Sequence, residues 1–239
     1  MKTKTAIRFP LLFLLTLVPA YGAQMEEHEK GDHSGHEMHR QMMEKAPSDD
    51  LMNVKVQLHD LELLTQEGTP IRFKSEAIQD KLVAMTFVYT NCTTICPVFN
   101  ALFGQLQDLL GDRLEEEVRL ITMTLDPARD LPQRMSREAR KFNAKTGWLY
   151  LTGEKQNVDQ VLKGLDAFFA DFTQHPPMVL LGDGQTGTWK RYNGFPRPQE
   201  LLALIDELKQ AREEDPEKNR LNQDPSEVRK AKPQDAAAR

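Results

Sequence analysis

The chain has 239 residues, two cysteines, a formal charge of −5 and a pI near 5.7. That acidic balance excludes a broad basic surface for nucleic acid. Hydrophobic residues make up 39% of the chain, enough for one good core, so a single domain is expected between polar ends.

The first element reads as an export signal, residues 1–23. Lys2, Lys4 and Arg8 precede an apolar run from Phe9 to Ala20, and the small residues Ala20, Gly22 and Ala23 follow around Tyr21. The run contains Pro10 and Pro19 and is shorter than the ~20 residues of a comfortable span. No cysteine lies near the cleavage region to carry a lipid. Cleavage delivers the chain to the periplasm, an oxidising compartment. An uncleaved anchor facing the periplasm is the alternative.

Residues 24–50 are polar and lack apolar periodicity. They hold His28, His33, His36 and His39, with Met25, Met38, Met42 and Met43 among them. Imidazole and thioether groups suit copper, so these histidines are auxiliary copper-binding candidates. A flexible tether accounts for the same composition equally well.

The domain is expected over residues 51–213. Residues 54–73 alternate and turn at Glu67-Gly68, which predicts a β-hairpin, with His59 as an ordinary strand residue. Residues 81–90 read as a buried strand. Pro97 to Leu110 sets Phe99, Leu102, Phe103, Leu106 and Leu110 at helical spacing. Residues 117–126 read as a second buried strand. Leu131 to Ala144 predicts a helix capped by Asp130, with Pro132 in its first turn. A short strand at 148–153 and a helix from Val158 to Phe169 follow. Strands at 177–183 and 188–193 join at Asp183-Gly184, and Pro198 to Arg212 closes the domain as an amphipathic helix. Interleaved strands and helices predict an α/β sandwich with an N-terminal hairpin. Residues 214–239 are charged and proline-bearing, which predicts a disordered tail.

Cys92 falls at the end of a buried strand, and Cys96 with Pro97 opens the next helix. Strand ends are where α/β folds place their chemistry, and a helix N-terminus favours thiolate. Four residues at helical rise span about 6 Å, which suits either a disulfide or two thiolates on one ion. A bridge over so short a loop adds only about 2 kcal/mol, against nearly 5 for a loop of 100 residues, so a purely structural staple is a weak account. A redox pair and a metal clamp both stay open.

The surroundings of the cysteines are specific. Phe87, Tyr89, Thr90, Cys92, Cys96 and Pro97 form an F-x-Y-T-x-C-x-x-x-C-P motif. Asp126-Pro127-Ala128-Arg129-Asp130 follows the next strand, and His175 precedes the last hairpin. Together these resemble the Sco (SenC/PrrC-like) copper-protein family, over about Val54 to Gln210. The resemblance implies a thioredoxin-like domain that holds Cu(I) or Cu(II) with Cys92, Cys96 and His175. Asp126 matches the aspartate that flanks the family's site, where it tunes the thiols or accepts a hydrogen bond from a ligand. Turn and cap chemistry is the competing account of Asp126 and Asp130. One departure stands out: the family usually has an aspartate before the histidine, whereas this chain reads Gln174-His175-Pro176-Pro177. Pro176 or Pro177 is a candidate for the cis-proline that thioredoxin-like folds often set against the cysteines.

Two functions follow from the resemblance. One is a metallochaperone that assists copper insertion into the CuA centre of cytochrome c oxidase; its partner is the CuA-bearing subunit or another copper chaperone. The other is a thiol–disulfide reductase that maintains a partner's cysteines. There Cys92 attacks, Cys96 resolves, and a thioredoxin-like protein resets the pair. A peroxidase is a third, weaker reading, which requires Thr90 and Arg129 to be poised around a cysteine.

Overall fold

The computed structural model describes residues 51–214. In chain order it contains β1 (Leu51–Asn53), β2 (Glu62–Leu64), β3 (Pro70–Arg72), β4 (Leu82–Val88), α1 (Cys96–Leu110), β5 (Val118–Thr124), α2 (Pro132–Lys141), β6 (Trp148–Leu151), α3 (Lys155–Gly164), β7 (Met178–Asp183), β8 (Trp189–Asn193) and α4 (Pro198–Glu214). The main sheet runs β1-β8-β7-β4-β5-β6, and β2 pairs with β3 as a separate ribbon. Strands β4, β5 and β6 are parallel, while β7 is antiparallel to both β4 and β8.

β4 and β5 are buried at every position because helices cover both faces of the sheet. Leu82 and Ala84 point toward α1 and α4, where they meet Phe99, Phe103, Leu201 and Ile205. Val83, Met85 and Phe87 point the other way, toward Val158 and Val161 of α3 and toward Phe73 and Ile78. The alternation is therefore real but apolar on both sides, which is why the strands read as continuous runs. Phe103 is fully buried, and its truncation to alanine costs about 4 kcal/mol.

The N-terminal hairpin is shorter than its sequence pattern. Only β2 and β3 pair, turning where Thr65 N–H donates to the Thr69 carbonyl at 3.0 Å. Residues 54–61 form no strand. Val54 N–H donates to Trp189 O at 3.0 Å and Gln57 N–H to Gly164 O at 2.7 Å, while Val56, Leu58 and Leu61 pack on the core. A Cβ on Gly164 would lie 2.1 Å from Gln57 O, so this crossing requires glycine. The helix expected to reach Phe169 ends at Gly164; Asp166 takes φ 51° and turns the chain away. β1, absent from the sequence reading, pairs with β8. Asp130 does not cap α2, whose N-cap is Leu131 with no side-chain bond. The expected export signal, the histidine tract with His28, His33, His36 and His39, and the charged tail beyond Glu214 lie outside the described residues. Among the described residues no helix is long and apolar enough to cross a membrane.

Candidate functional site

The parallel strands β4 and β5 end side by side, tied where Leu125 N–H donates to Val88 O at 2.7 Å. The chain then turns, with Cys92 N–H donating to Tyr89 O at 3.0 Å, and enters α1 at Cys96. Pro97 in the first turn fixes a helical φ, and its missing N–H is one the helix would not have used. No side chain caps this helix. One of its free donors is taken by sulfur instead: Cys96 N–H donates to Cys92 Sγ at 3.4 Å, and Thr94 Oγ1 lies 3.6 Å from the same atom.

This arrangement divides the two thiols. Both are free, at 9% and 3% exposure for Cys92 and Cys96. Burial opposes the ionisation of Cys92, but the hydrogen bonds from Cys96 and Thr94 outweigh it and bring the thiol down to about 7. Burial pushes the Cys96 thiol up, and the adjacent Cys92 sulfur pushes it further. The helix N-terminus thus serves the cysteine outside the helix rather than the one that opens it.

Asp130 holds the turn from behind. It is 1% exposed and accepts hydrogen bonds from Thr90 N–H at 3.1 Å and from the hydroxyls of Thr90 and Thr124 at 2.5 and 2.8 Å. Burial raises its pKa, and these bonds only partly offset the rise. Asp126 is also buried, but its carboxylate accepts from Arg129 at 2.9 Å. Of the two aspartates, it is Asp130 that binds the cysteine turn. Thr90 and Arg129 are committed to these aspartates rather than poised around a cysteine.

His175 arrives on the loop before β7, after a turn over Phe172–Gln174 in which Asp171 accepts from Thr173 N–H at 3.0 Å. The imidazole is 6% exposed. Nδ1 lies 3.1 Å from the Pro176 carbonyl, which assigns the proton to Nδ1. Nε2 then carries a lone pair, and it is buried with no hydrogen-bond partner. Burial holds His175 below the usual imidazole range, so the ring is neutral at pH 7. Among the described residues there is no cis peptide, so Pro176 and Pro177 are both trans.

Tyr89 stands between the two loops. Its ring meets His175 edge-on at 6.2 Å and Phe172 at 5.1 Å. Burial and a hydrogen bond with Cys92 push its hydroxyl up to about 12. The structure therefore brings Cys92 and Cys96 together and links His175 to them through Tyr89. Among the described residues no three His, Cys, Asp or Glu groups already stand around one metal position. The donors present nevertheless suit copper: two adjacent sulfurs and an unpartnered imidazole nitrogen. Tyr89, Thr94 and Asp130 are the contributors that the sequence reading did not place at the site. The motif contains Tyr89, and a threonine two residues after Cys92 was the available signal for Thr94.

Residues 54–210 match the SCO1/SenC family model. The chain belongs to the SCO1/SenC family. A SCO2-like protein of Rickettsia conorii is 28% identical over 118 residues, covering 49% of this chain and 55% of the relative. The chain spans about half the length of the curated relatives it matches. Among solved structures, BsSco, a member of the Sco family of cytochrome c oxidase assembly proteins, aligns with a TM-score of 0.55 at 21% identity, over 66% of this chain and 95% of that one. ScoI of Bradyrhizobium japonicum, solved with copper bound, aligns with a TM-score of 0.53 at 20% identity, over 65% and 99%. The fold shared with these Sco structures is the thioredoxin-like α/β sandwich.

Proposed function

We propose that this SCO1/SenC protein is an exported copper chaperone that carries copper toward the CuA-bearing subunit of cytochrome c oxidase. Cys92, Cys96 and His175 are the proposed ligands. The observation that carries the reading is the buried, unpartnered Nε2 of a neutral His175, one aromatic ring away from a reduced cysteine pair. A buried polar atom without a partner costs free energy, and a soft cation is a partner that relieves it. The copper-bound ScoI structure and the membership of BsSco in a family of cytochrome c oxidase assembly proteins support the same reading. Copper, when bound, supplies a thiolate-bound centre able to pass between Cu(I) and Cu(II). The chain's residues supply the rest: the Cys96 N–H and Thr94 favour the Cys92 thiolate, and Pro176 O fixes the imidazole tautomer. The histidines at 28, 33, 36 and 39 would gather further copper, and deletion of residues 24–50 then lowers the number of ions bound.

The test is an anaerobic copper titration of the reduced protein beside Cys92→Ser and His175→Ala, read by absorption and EPR. One tightly bound ion with thiolate-to-Cu(II) charge transfer, weakened in both variants, is the expected outcome. A His175→Ala protein with unchanged Cu(II) affinity and spectrum would remove the histidine from the ligand set.

The division of the two thiols favours thiol–disulfide reduction as the second reading. The Cys92 thiolate attacks one sulfur of a partner disulfide and expels the other as thiolate, which takes a proton from solvent. Cys96 then loses its proton, attacks Cys92 Sγ and releases the second partner thiol. The partner gains two electrons and the cysteine pair is left oxidised, to be reset by a thioredoxin-like reductant. A Cys96→Ser protein should trap the mixed disulfide with a CuA-domain partner; efficient trapping in a Cys92→Ser protein would reject this order of events.

A further inference from the structure

A cavity of about 250 Å³ opens beside the cysteine turn, lined by Thr90, Asn91, Arg134, Arg137, Glu138 and Lys141. Arg134, Arg137 and Lys141 recur at i, i+3 and i+7 on α2 and so share one stripe, while Met135 and Ala139 are turned into the core. Three cations meet a single carboxylate there. That carboxylate, Glu138, is buried and already accepts from Lys141 at 2.7 Å and from Asn100 at 3.5 Å. Arg137 is exposed and has no hydrogen-bond or ion-pair partner among the described residues. Arg134 makes only a 3.3 Å bond to the Asn91 side chain. The other nearby acids are engaged elsewhere, Asp130 with Thr90 and Thr124 and Asp126 with Arg129.

The cavity is thus a basic spot on a chain whose formal charge is −5. It also adjoins the cysteine turn at Cys92, since Asn91 immediately precedes Cys92 and consecutive Cα atoms are about 3.8 Å apart. A guanidinium presents a planar fork of donors that matches a carboxylate. An acidic segment is repelled by the chain's overall charge and attracted at this spot, so complementarity selects one face and one orientation.

We propose that this cavity is an anion subsite that docks an acidic segment of the polypeptide partner beside Cys92. The proposal rests on the reading of Cys92 as the group that meets the partner, and its test separates the two. The first arm needs no thiol chemistry. Reduced, 15N-labelled protein is titrated with hexaglutamate and, separately, with hexalysine. The expected result is a salt-sensitive shift of the Asn91, Arg137 and Lys141 amides with hexaglutamate alone, lost in Arg137→Glu. No shift, or equal shifts at distant surface lysines such as Lys163, would overturn the subsite. The second arm compares exchange at Cys92 with acidic glutathione disulfide and cationic cystamine, each rate divided by that with neutral 2-hydroxyethyl disulfide. Arg134→Glu/Arg137→Glu should move the acidic-to-cationic ratio toward cystamine by about tenfold; an unchanged ratio overturns docking at Cys92. Failure of the neutral disulfide to react counts against the reading of Cys92 alone, and the peptide titration then decides the subsite.

Discussion

Asp183 and His175 are both buried, one at the far end of β7 and the other just before its start. Asp183 is fully satisfied. It accepts two bonds from Arg212 at 2.6 and 2.9 Å and further bonds from the N–H groups of Gln185 and Thr186 at 2.8 and 3.2 Å. His175 keeps one ring nitrogen occupied and the other empty. The closed group ties the C-terminal helix to the sheet. The open group makes no such tie, and under the proposed function its free nitrogen is the one that takes the metal. Among the described residues its Nε2 is one of several buried side-chain atoms left unmet; what sets it apart is its place on the loop that faces the cysteine turn across Tyr89.

The contrast breaks most strongly at the closed end. Arg212→Met strands a buried carboxylate, and the expected loss is about 3–5 kcal/mol in urea unfolding, with copper affinity of the folded protein unchanged. His175→Ala gives the reverse pattern. Cu(II) affinity should fall about hundredfold, while stability changes by only about 1 kcal/mol. If the two variants gave the same pattern, the distinction between closed and open groups would fail.

Asp130→Asn sharpens the comparison, because Asp130 is closed like Asp183 but serves the cysteine turn. The loss of its bonds to Thr90 and Thr124 should cost about 2 kcal/mol. It should also remove a pH dependence. The folded pKa of Asp130 is raised above its unfolded value near 3.8, so the folded state binds more protons between the two. Its contribution is fully present below 3.8 and is lost as pH rises through the folded value. A pH–stability profile of the variant should lack that component.

The smallest effect concerns Cys92. Its thiol lies at about 7 when folded, against 9.0 ordinarily, so its contribution to stability is present above 9 and lost as pH falls through 7. Iodoacetamide should modify Cys92 with a midpoint near pH 7, well before Cys96, as read by peptide mass spectrometry. Thr94→Val should raise that midpoint. An unmoved midpoint would leave the Cys96 N–H as the main support of the thiolate.

The buried strands and the helices over them were legible because seven-residue stretches that are almost wholly apolar or β-branched, and a 3.6-residue period, leave few alternatives. Residues 54–61 were misread because their alternation serves packing on the core, while their backbone donors go to Trp189 and Gly164, contacts far away in sequence. Asp130 was misread for the same reason: adjacency to Pro132 suggested a cap, but its partner is Thr90, forty residues away. The cysteine pair was legible from spacing, since its geometry is local. The tautomer of His175 and the bridging ring of Tyr89 depend on two loops meeting across the sheet end, which no local pattern specifies.

The trans prolines after His175 also set a limit on the sheet. Pro176 and Pro177 have no N–H to donate, so the ladder between β7 and β8 cannot zip backward past Met178. Only the Pro177 carbonyl extends it, by accepting from Gly194 N–H at 2.8 Å. Two consecutive rings therefore act as a stop stitch at the start of the strand: the hairpin cannot draw the imidazole into its own weave.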